Sequence, residues 1–111
     1  MDNLTFTTHC LSFDDVIELP HFEKISFRVN KKIFATLNIQ KKQATFKLSE
    51  IDQSVFCDFD RNRIWPATGA WGKQGWTTFD LAELTDEMLI DALTLSYCNV
   101  APKKLSEKYK C

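Results

Sequence analysis

Alternating apolar and polar residues predict three consecutive β-strands in the first half of the chain. Residues 25–29 alternate in this way, and residues 33–39 and 44–48 repeat the pattern after short polar turns. A period of two with one apolar face is typical of antiparallel strands that face the core on one side and water on the other. The pattern therefore predicts an antiparallel meander. Its solvent-facing side would carry Ser26, Arg28, Lys32, Phe34, Thr36, Asn38, Thr45 and Lys47.

Helical spacing of apolar residues predicts one helix before this meander and one directly after it. Phe6, Cys10 and Phe13 lie at positions i, i+4 and i+7, which places them on one side of a helix. Residues 14–23 then indicate a connecting loop. Ser49 is a typical N-cap for the second helix. The buried stripe of that helix is predicted to be Ile51, Val55, Phe56 and Phe59.

The last part of the chain predicts two further strands and a long helix, which together indicate the fold class. The strands would cover residues 64–65 and 75–81, and Thr85 would cap the helix. Strands and helices in separate blocks favour an α+β fold, with an antiparallel sheet of about four to six strands and helices packed on one face. With 111 residues and no linker, residues 1–111 are expected to form a single domain.

The formal net charge of −1 hides a strong segregation of charge along the chain. Residues 1–23 contain five acids and no Lys or Arg, whereas residues 24–49 contain seven bases and no acid. No apolar run approaches the ~18 residues of a membrane helix, and the first residues do not resemble a signal peptide. We therefore expect a cytoplasmic protein with no membrane partner. Its four widely spaced cysteines are expected to be free thiols: Cys10, Cys57, Cys98 and Cys111.

Short motifs are spread over nearly the whole chain, from about Phe6 to Lys108. They are Pro20-His21-Phe22, Ser26-Phe27-Arg28-Val29, Lys32-Ile33-Phe34-Ala35-Thr36-Leu37, Thr45-Phe46-Lys47-Leu48, Gly72-Lys73-Gln74-Gly75-Trp76-Thr77 and Val100-Ala101-Pro102-Lys103. In this order they resemble the MmcQ/YjbR family. The resemblance implies a double-wing fold with frataxin-like architecture, and it implies DNA binding. The chain departs from the family pattern at residues 14–16 and at Glu23, where family members often have glycine.

A basic face on the predicted sheet is the first candidate for a functional site. Nucleic-acid binding needs cations that neutralise phosphates and, for single strands, aromatic surfaces on which bases stack. We expect weak and largely non-specific binding to duplex or single-stranded DNA. The alternative is that these lysines only keep the sheet soluble and block edge pairing. The candidate residues are Arg28, Lys31, Lys32, Phe34, Lys41, Lys42, Lys47 and Lys73.

The segment 65–76, rich in tryptophan and glycine, is the second candidate. It contains all three tryptophans and all three glycines of the chain. The segment could form a groove for another protein or a small ligand, and Gly72 and Gly75 could clamp a phosphate on backbone N–H groups. The favoured interpretation is a tight turn that needs positive φ and is held by buried tryptophans.

The sequence carries no motif of an enzyme or of a metal or cofactor site. A nucleophile elbow, a P-loop and a dinucleotide fingerprint are all missing. His9 and His21 have no partner at metal-ligand spacing. The first helix also lacks the row of acids that iron binding of the frataxin kind would need. We therefore expect a non-catalytic binding protein without a cofactor.

Overall fold

The structure is a computed structural model that describes residues 1–109, and these form a six-stranded antiparallel sheet with helices packed on one face. The strand order is β1-β2-β3-β4-β6-β5. The strands are β1 (Val16–His21), β2 (Lys24–Val29), β3 (Lys32–Asn38), β4 (Gln43–Lys47), β5 (Ile64–Pro66) and β6 (Trp76–Asp80). The helices are α1 (Asn3–Ser12), α2 (Glu50–Phe59), α3 (Ala70–Lys73), α4 (Asp86–Val100) and α5 (Lys103–Ser106). The predicted α+β class and the antiparallel meander are confirmed.

Capping side chains fix where the main helices begin. The hydroxyl groups of Ser49 and Thr85 accept hydrogen bonds from the backbone N–H groups of Asp52 (3.1 Å) and Met88 (3.2 Å), as predicted for α2 and α4. Asp2 caps α1 in the same way. Each cap pairs an amide that the first turn of a helix leaves without a partner. None of the helices in residues 1–109 is long and apolar enough to span a bilayer.

The core lies between the sheet and the helices α1, α2 and α4. Phe6 of α1 stacks on Phe46 of β4, with ring centroids 5.7 Å apart. Phe56 of α2 meets Phe79 of β6 edge to face at 5.7 Å. These rings bury large apolar areas, and such burial is the dominant stabilising term in folding. The opposite face of the sheet carries none of these three helices, and we call it the open face.

Residues 14–23, predicted as a loop, contain the edge strand β1. It pairs with β2 from Val16, opposite Val29, to His21, opposite Lys24. Most of its side chains are exposed, so the strand lacks the apolar alternation by which a half-buried strand is recognised. Pro20 lies inside it, which an edge strand tolerates because one of its sides needs no hydrogen-bond partner.

A β-bulge in β3 overturns the predicted solvent position of Phe34. Phe27 pairs with Ala35, but the next residue of β2, Arg28, pairs with Ile33, so Phe34 is an extra residue without a partner in β2. Phe34 and Ala35 are both fully buried. An extra residue of this kind shifts the alternation by one position. The bulge therefore turns Phe34 into the core.

The core accommodates Phe34 in a pocket formed by α1 and α4. Its ring meets Tyr97 edge to face at 5.6 Å and Phe13 at 6.2 Å. The hydroxyl of Ser96 donates a hydrogen bond of 2.7 Å to the carbonyl oxygen of Phe34. Ser96 is itself fully buried, so this bond supplies the partner that its hydroxyl needs. Burial also raises the pKa of Tyr97 to about 12.

The predicted buried stripe of α2 is wrong for three of its four residues. Ile51, Val55 and Phe59 are exposed, and only Phe56 is turned towards the core. The helix lies over β5, the edge strand of the sheet, so the sheet covers only one of its sides. Apolar spacing identified the helix but could not identify which side the sheet would cover.

The cysteines only partly follow the prediction of free thiols. Cys10 and Cys57 are free and buried, and burial raises the pKa of both thiols. Cys98 is disulfide-bonded, so the prediction of four free thiols is wrong. Cys111 lies outside the described residues.

Candidate functional site: a groove on the open face of the sheet

A row of residues in register crosses the open face from one edge of the sheet to the other. Directly paired residues on neighbouring strands point to the same side, so the row is continuous. Its central members are small hydroxyl side chains, which leave space above the sheet. The row runs Leu19, Ser26, Thr36, Thr45, Thr78 and Trp65.

The threonines of this row form the floor of a groove of about 630 Å³. Thr36, Thr45 and Thr78 line it directly. The side-chain oxygens of Thr45 and Thr78 lie 3.1 Å apart and share a hydrogen bond. The floor is therefore polar, although it is made of short side chains.

Tryptophans form one wall of the groove. Trp71 of α3 packs against Trp76 of β6 with ring centroids 4.9 Å apart, and Trp65 of β5 lines the groove beside them. Trp76 is 7% exposed, whereas Trp71 is 48% exposed. Gln53 of α2 holds this wall, because its amide nitrogen lies 2.9 Å from the carbonyl oxygen of Gly72. The groove thus has an exposed indole on a fixed support.

Two glycines allow the tryptophan wall to approach the rest of the fold. A Cβ atom on Gly72 would lie 2.0 Å from the carbonyl oxygen of Ala67, and one on Gly75 would lie 1.9 Å from that of Leu48. Gly75 also has a φ of +100°. Its N–H group donates to the carbonyl oxygen of Gly72 at 3.1 Å, so that amide is not available to a phosphate. The predicted tight turn with positive φ is confirmed at Gly75.

Charged side chains line the groove at the opposite end from the tryptophans. His21 ends β1 and pairs with Lys24, which begins β2. Lys41 lies in the turn after β3, and all three residues line the groove. Glu23 also lines this end. Lys24 and Lys41 are both exposed. Lys24 on β2 is four strand spacings from Trp65 on β5, which corresponds to about 19 Å.

Comparison with known proteins places this chain in a family. The family model named YjbR matches residues 11–99. The chain belongs to the YjbR family. No curated protein sequence matches it. The crystal structure of Deinococcus radiodurans protein DR2400, which carries the domain DUF419, is similar with a TM-score of 0.82 and 18% identity, over 96% of this chain and 86% of that one. At this identity the similarity shows a shared fold alone.

The predicted basic residues of this YjbR protein do not lie on one surface. Lys31 is in the turn between β2 and β3 and Lys32 is the first residue of β3, whereas Lys41 and Lys42 are in the turn between β3 and β4. The two pairs are therefore at opposite ends of β3, about 20 Å apart. Arg28 is on the open face, where its Nε donates to the hydroxyl of Ser26 at 3.0 Å.

The remaining predicted residues are also dispersed. The ammonium group of Lys47 donates to the carbonyl oxygen of Gln74, beside the tryptophan wall. Lys73 is exposed on α3. Phe34 is in the core and offers no surface on which a base could stack. Of the eight predicted residues, only Lys41 lines the groove.

Sequence reasoning left His21, Lys24 and Thr78 out of the predicted site. His21 lies in a segment that the sequence predicts as a loop, so nothing in the sequence indicates that it pairs with Lys24 of β2. Thr36 and Thr45 were correctly expected on the polar side of the meander. Within residues 1–109, no group of three or more His, Cys, Asp or Glu side chains is arranged to hold a metal ion.

Proposed function

We propose that this YjbR protein is a non-catalytic binding module whose ligand occupies the open-face groove. The observation that carries the proposal is the exposed indole of Trp71 at one end of a groove that has Lys24 and Lys41 at the other. Indoles stack on flat rings, and ammonium groups bind anions. The ligand therefore combines a flat ring with an anionic group. Single-stranded DNA and free nucleotides share this chemistry.

The length of the groove favours single-stranded DNA over a free nucleotide. Trp65 and Lys24 are separated by about 19 Å across the sheet, so a ligand that contacts the tryptophan wall and Lys24 at once must be longer than a single nucleotide. Duplex DNA fits less well, because paired bases cannot stack on Trp71. DNA binding remains the proposed function, but its site moves from the predicted basic face to the groove.

The hydrogen bonds of the floor support a non-catalytic role. A nucleophilic hydroxyl needs an adjacent base that can take its proton. The hydroxyl of Ser26 donates instead to the carbonyl oxygen of Leu19 at 2.9 Å, and Thr45 pairs with Thr78. Among the hydrogen bonds of the described residues, none joins these hydroxyl groups to a histidine or a carboxylate.

Matched charge reversals at the two ends of the sheet test the location of the site. The double variant Lys24→Glu with Lys41→Glu reverses two charges that line the groove. The double variant Lys31→Glu with Lys32→Glu reverses two charges at the opposite end of β3, away from the groove. We expect the first pair to weaken single-stranded DNA binding by about tenfold or more, and the second pair to change it by less than about threefold. Fluorescence anisotropy of a labelled oligonucleotide at low salt measures both. All four side chains are exposed, so melting temperatures should stay near that of the parent.

Two further measurements distinguish single-stranded DNA from a free nucleotide as the ligand. Trp71→Ala should weaken binding of the single strand by about five- to a hundredfold, because each stacked base contributes about 1–3 kcal/mol. Unlabelled mononucleotide should compete poorly with the oligonucleotide. Effective competition would instead identify a free nucleotide as the ligand. If neither binds at low salt, or if only the Lys31 and Lys32 variant loses binding, the proposal is wrong.

A further inference from the structure

An exposed phenylalanine lies at the end of the groove that carries the lysines. Phe22 is the first residue of the two-residue turn between β1 and β2, and it is 95% exposed. Its ring meets the ring of His21 edge to face, with centroids 5.0 Å apart. His21, Glu23 and Lys24 all line the groove. The ring of Phe22 is therefore at the rim of the groove, beside its charged end.

Neither packing nor turn geometry accounts for a phenylalanine at this position. The φ of Phe22 is +58°, which glycine adopts freely and bulky side chains rarely adopt. The exposed ring buries too little area to offset this strain. A single exposed apolar residue is normal on a protein surface. A strained one beside a binding groove is instead a candidate functional residue.

The groove continues past the lysines towards this turn. A second cavity, of about 550 Å³, has four lining residues in common with the groove and adds Ile39, which is 49% exposed. The four common residues are Glu23, Lys24, Asn38 and Gln40. A ligand that extends along the groove from Trp71 can therefore pass Lys24 and reach the turn that carries Phe22.

We propose that Phe22 is a second base-stacking residue, which binds a different nucleotide of the same single strand from the one that stacks on Trp71. This inference rests on the proposed function of the groove. Aromatic rings of both kinds stack on bases with little regard to sequence. The carboxylate of Glu23 repels phosphates, so the strand presents a base and not its backbone to the turn. The phosphates lie instead against Lys24 and Lys41.

Aromatic contacts at both ends of the groove make binding depend on the length of the strand. Trp65 and Lys24 are about 19 Å apart across the sheet. Stacked nucleotides of one strand rise by about 3.4 Å each, so about six of them cover this distance. A strand of eight nucleotides reaches both rings, whereas a strand of three reaches only one. The longer strand therefore gains from two contacts at once.

Phe22→Ala tests the second contact, with fluorescence anisotropy of a labelled thymidine octanucleotide at low salt as the measurement. The full-length variant should bind about five- to a hundredfold more weakly than the parent, which is the effect of losing one stacked base. Phe22→Tyr keeps an aromatic ring and should bind within about threefold of the parent. Phe59→Ala removes an exposed ring from α2, outside the groove, and should leave binding unchanged.

A thymidine trinucleotide shows whether Phe22 binds a separate nucleotide. Phe22→Ala should change its affinity by less than about threefold, because so short a strand stacks on one ring and Trp71 remains available. Equal losses for the two lengths would mean that the substitution disturbs the groove as a whole, and they overturn the proposal.

The same measurements separate this inference from the function on which it rests. If Trp71→Ala weakens binding of the octanucleotide and Phe22→Ala does not, the groove binds DNA but Phe22 is not a stacking residue. If Phe22→Tyr binds as weakly as Phe22→Ala, the ring itself is not the contact, and the inference is again wrong. A parent that does not bind the octanucleotide at low salt overturns both the proposed function and this inference.

Discussion

Gly75→Ala is expected to destabilise the fold by about 3–5 kcal/mol, because two separate costs act on one residue. The new Cβ would lie 1.9 Å from the carbonyl oxygen of Leu48, and the backbone has a φ of +100° that alanine rarely adopts. The two segments cannot simply move apart. The N–H group of Leu48 donates to the carbonyl oxygen of Gly75 at 3.1 Å, and that hydrogen bond ties them together.

Gly69→Ala is the matched control for this prediction. Gly69 also has a positive φ, +68°, but no atom lies within 4 Å of the position its Cβ would take. Only the conformational cost remains, so a loss of about 1 kcal/mol is expected. Urea denaturation of both variants measures the difference. Equal losses would mean that the chain relaxes around residue 75 and that the tryptophan wall is not fixed there.

Phe34→Ala is expected to lower the free energy of unfolding by about 3–5 kcal/mol. Phe34 is fully buried, and its ring contacts those of Tyr97 and Phe13. Removing the ring leaves a cavity between the sheet and α4, which the surrounding backbone cannot close. Chemical denaturation, with circular dichroism as the signal, provides the measurement.

Phe22→Ala makes the same side-chain change on the surface. Phe22 is 95% exposed in the turn between β1 and β2, so its loss should alter stability by less than about 0.5 kcal/mol. The comparison separates the two interpretations of Phe34. A Phe34→Ala variant that is as stable as the parent but binds DNA less tightly would restore the predicted basic face and contradict the bulge.

The elements that the sequence predicted correctly are those whose pattern depends on neighbours along the chain. The meander followed from alternation, and the starts of α2 and α4 followed from Ser49 and Thr85. Phe34 was misplaced because a regular alternation through residues 33–39 puts it on the polar side, although Phe34 is itself apolar, and only pairing with β2 shows which residue is extra. Val55 was misplaced because helical spacing describes a stripe without identifying what covers it.

The groove depends on relations that sequence spacing does not contain. Thr36, Thr45 and Thr78 become neighbours only through the register of β3, β4 and β6, although Thr78 is 33 residues from Thr45. The basic residues between positions 24 and 49 show the reverse: they are close in sequence but distant in the structure. Lys32 and Lys41 are close in sequence, but they lie at opposite ends of the same strand.

The grouping of the tryptophans has a consequence for spectroscopy. All three tryptophans of the chain belong to segment 65–76, and all three line the groove. The ultraviolet emission of the protein therefore originates almost entirely at this wall. Its wavelength and quenching report the polarity around Trp71, which is the indole most open to water. A compound that enters the groove is visible without any label, so libraries of unmodified molecules can be screened directly against the native chain.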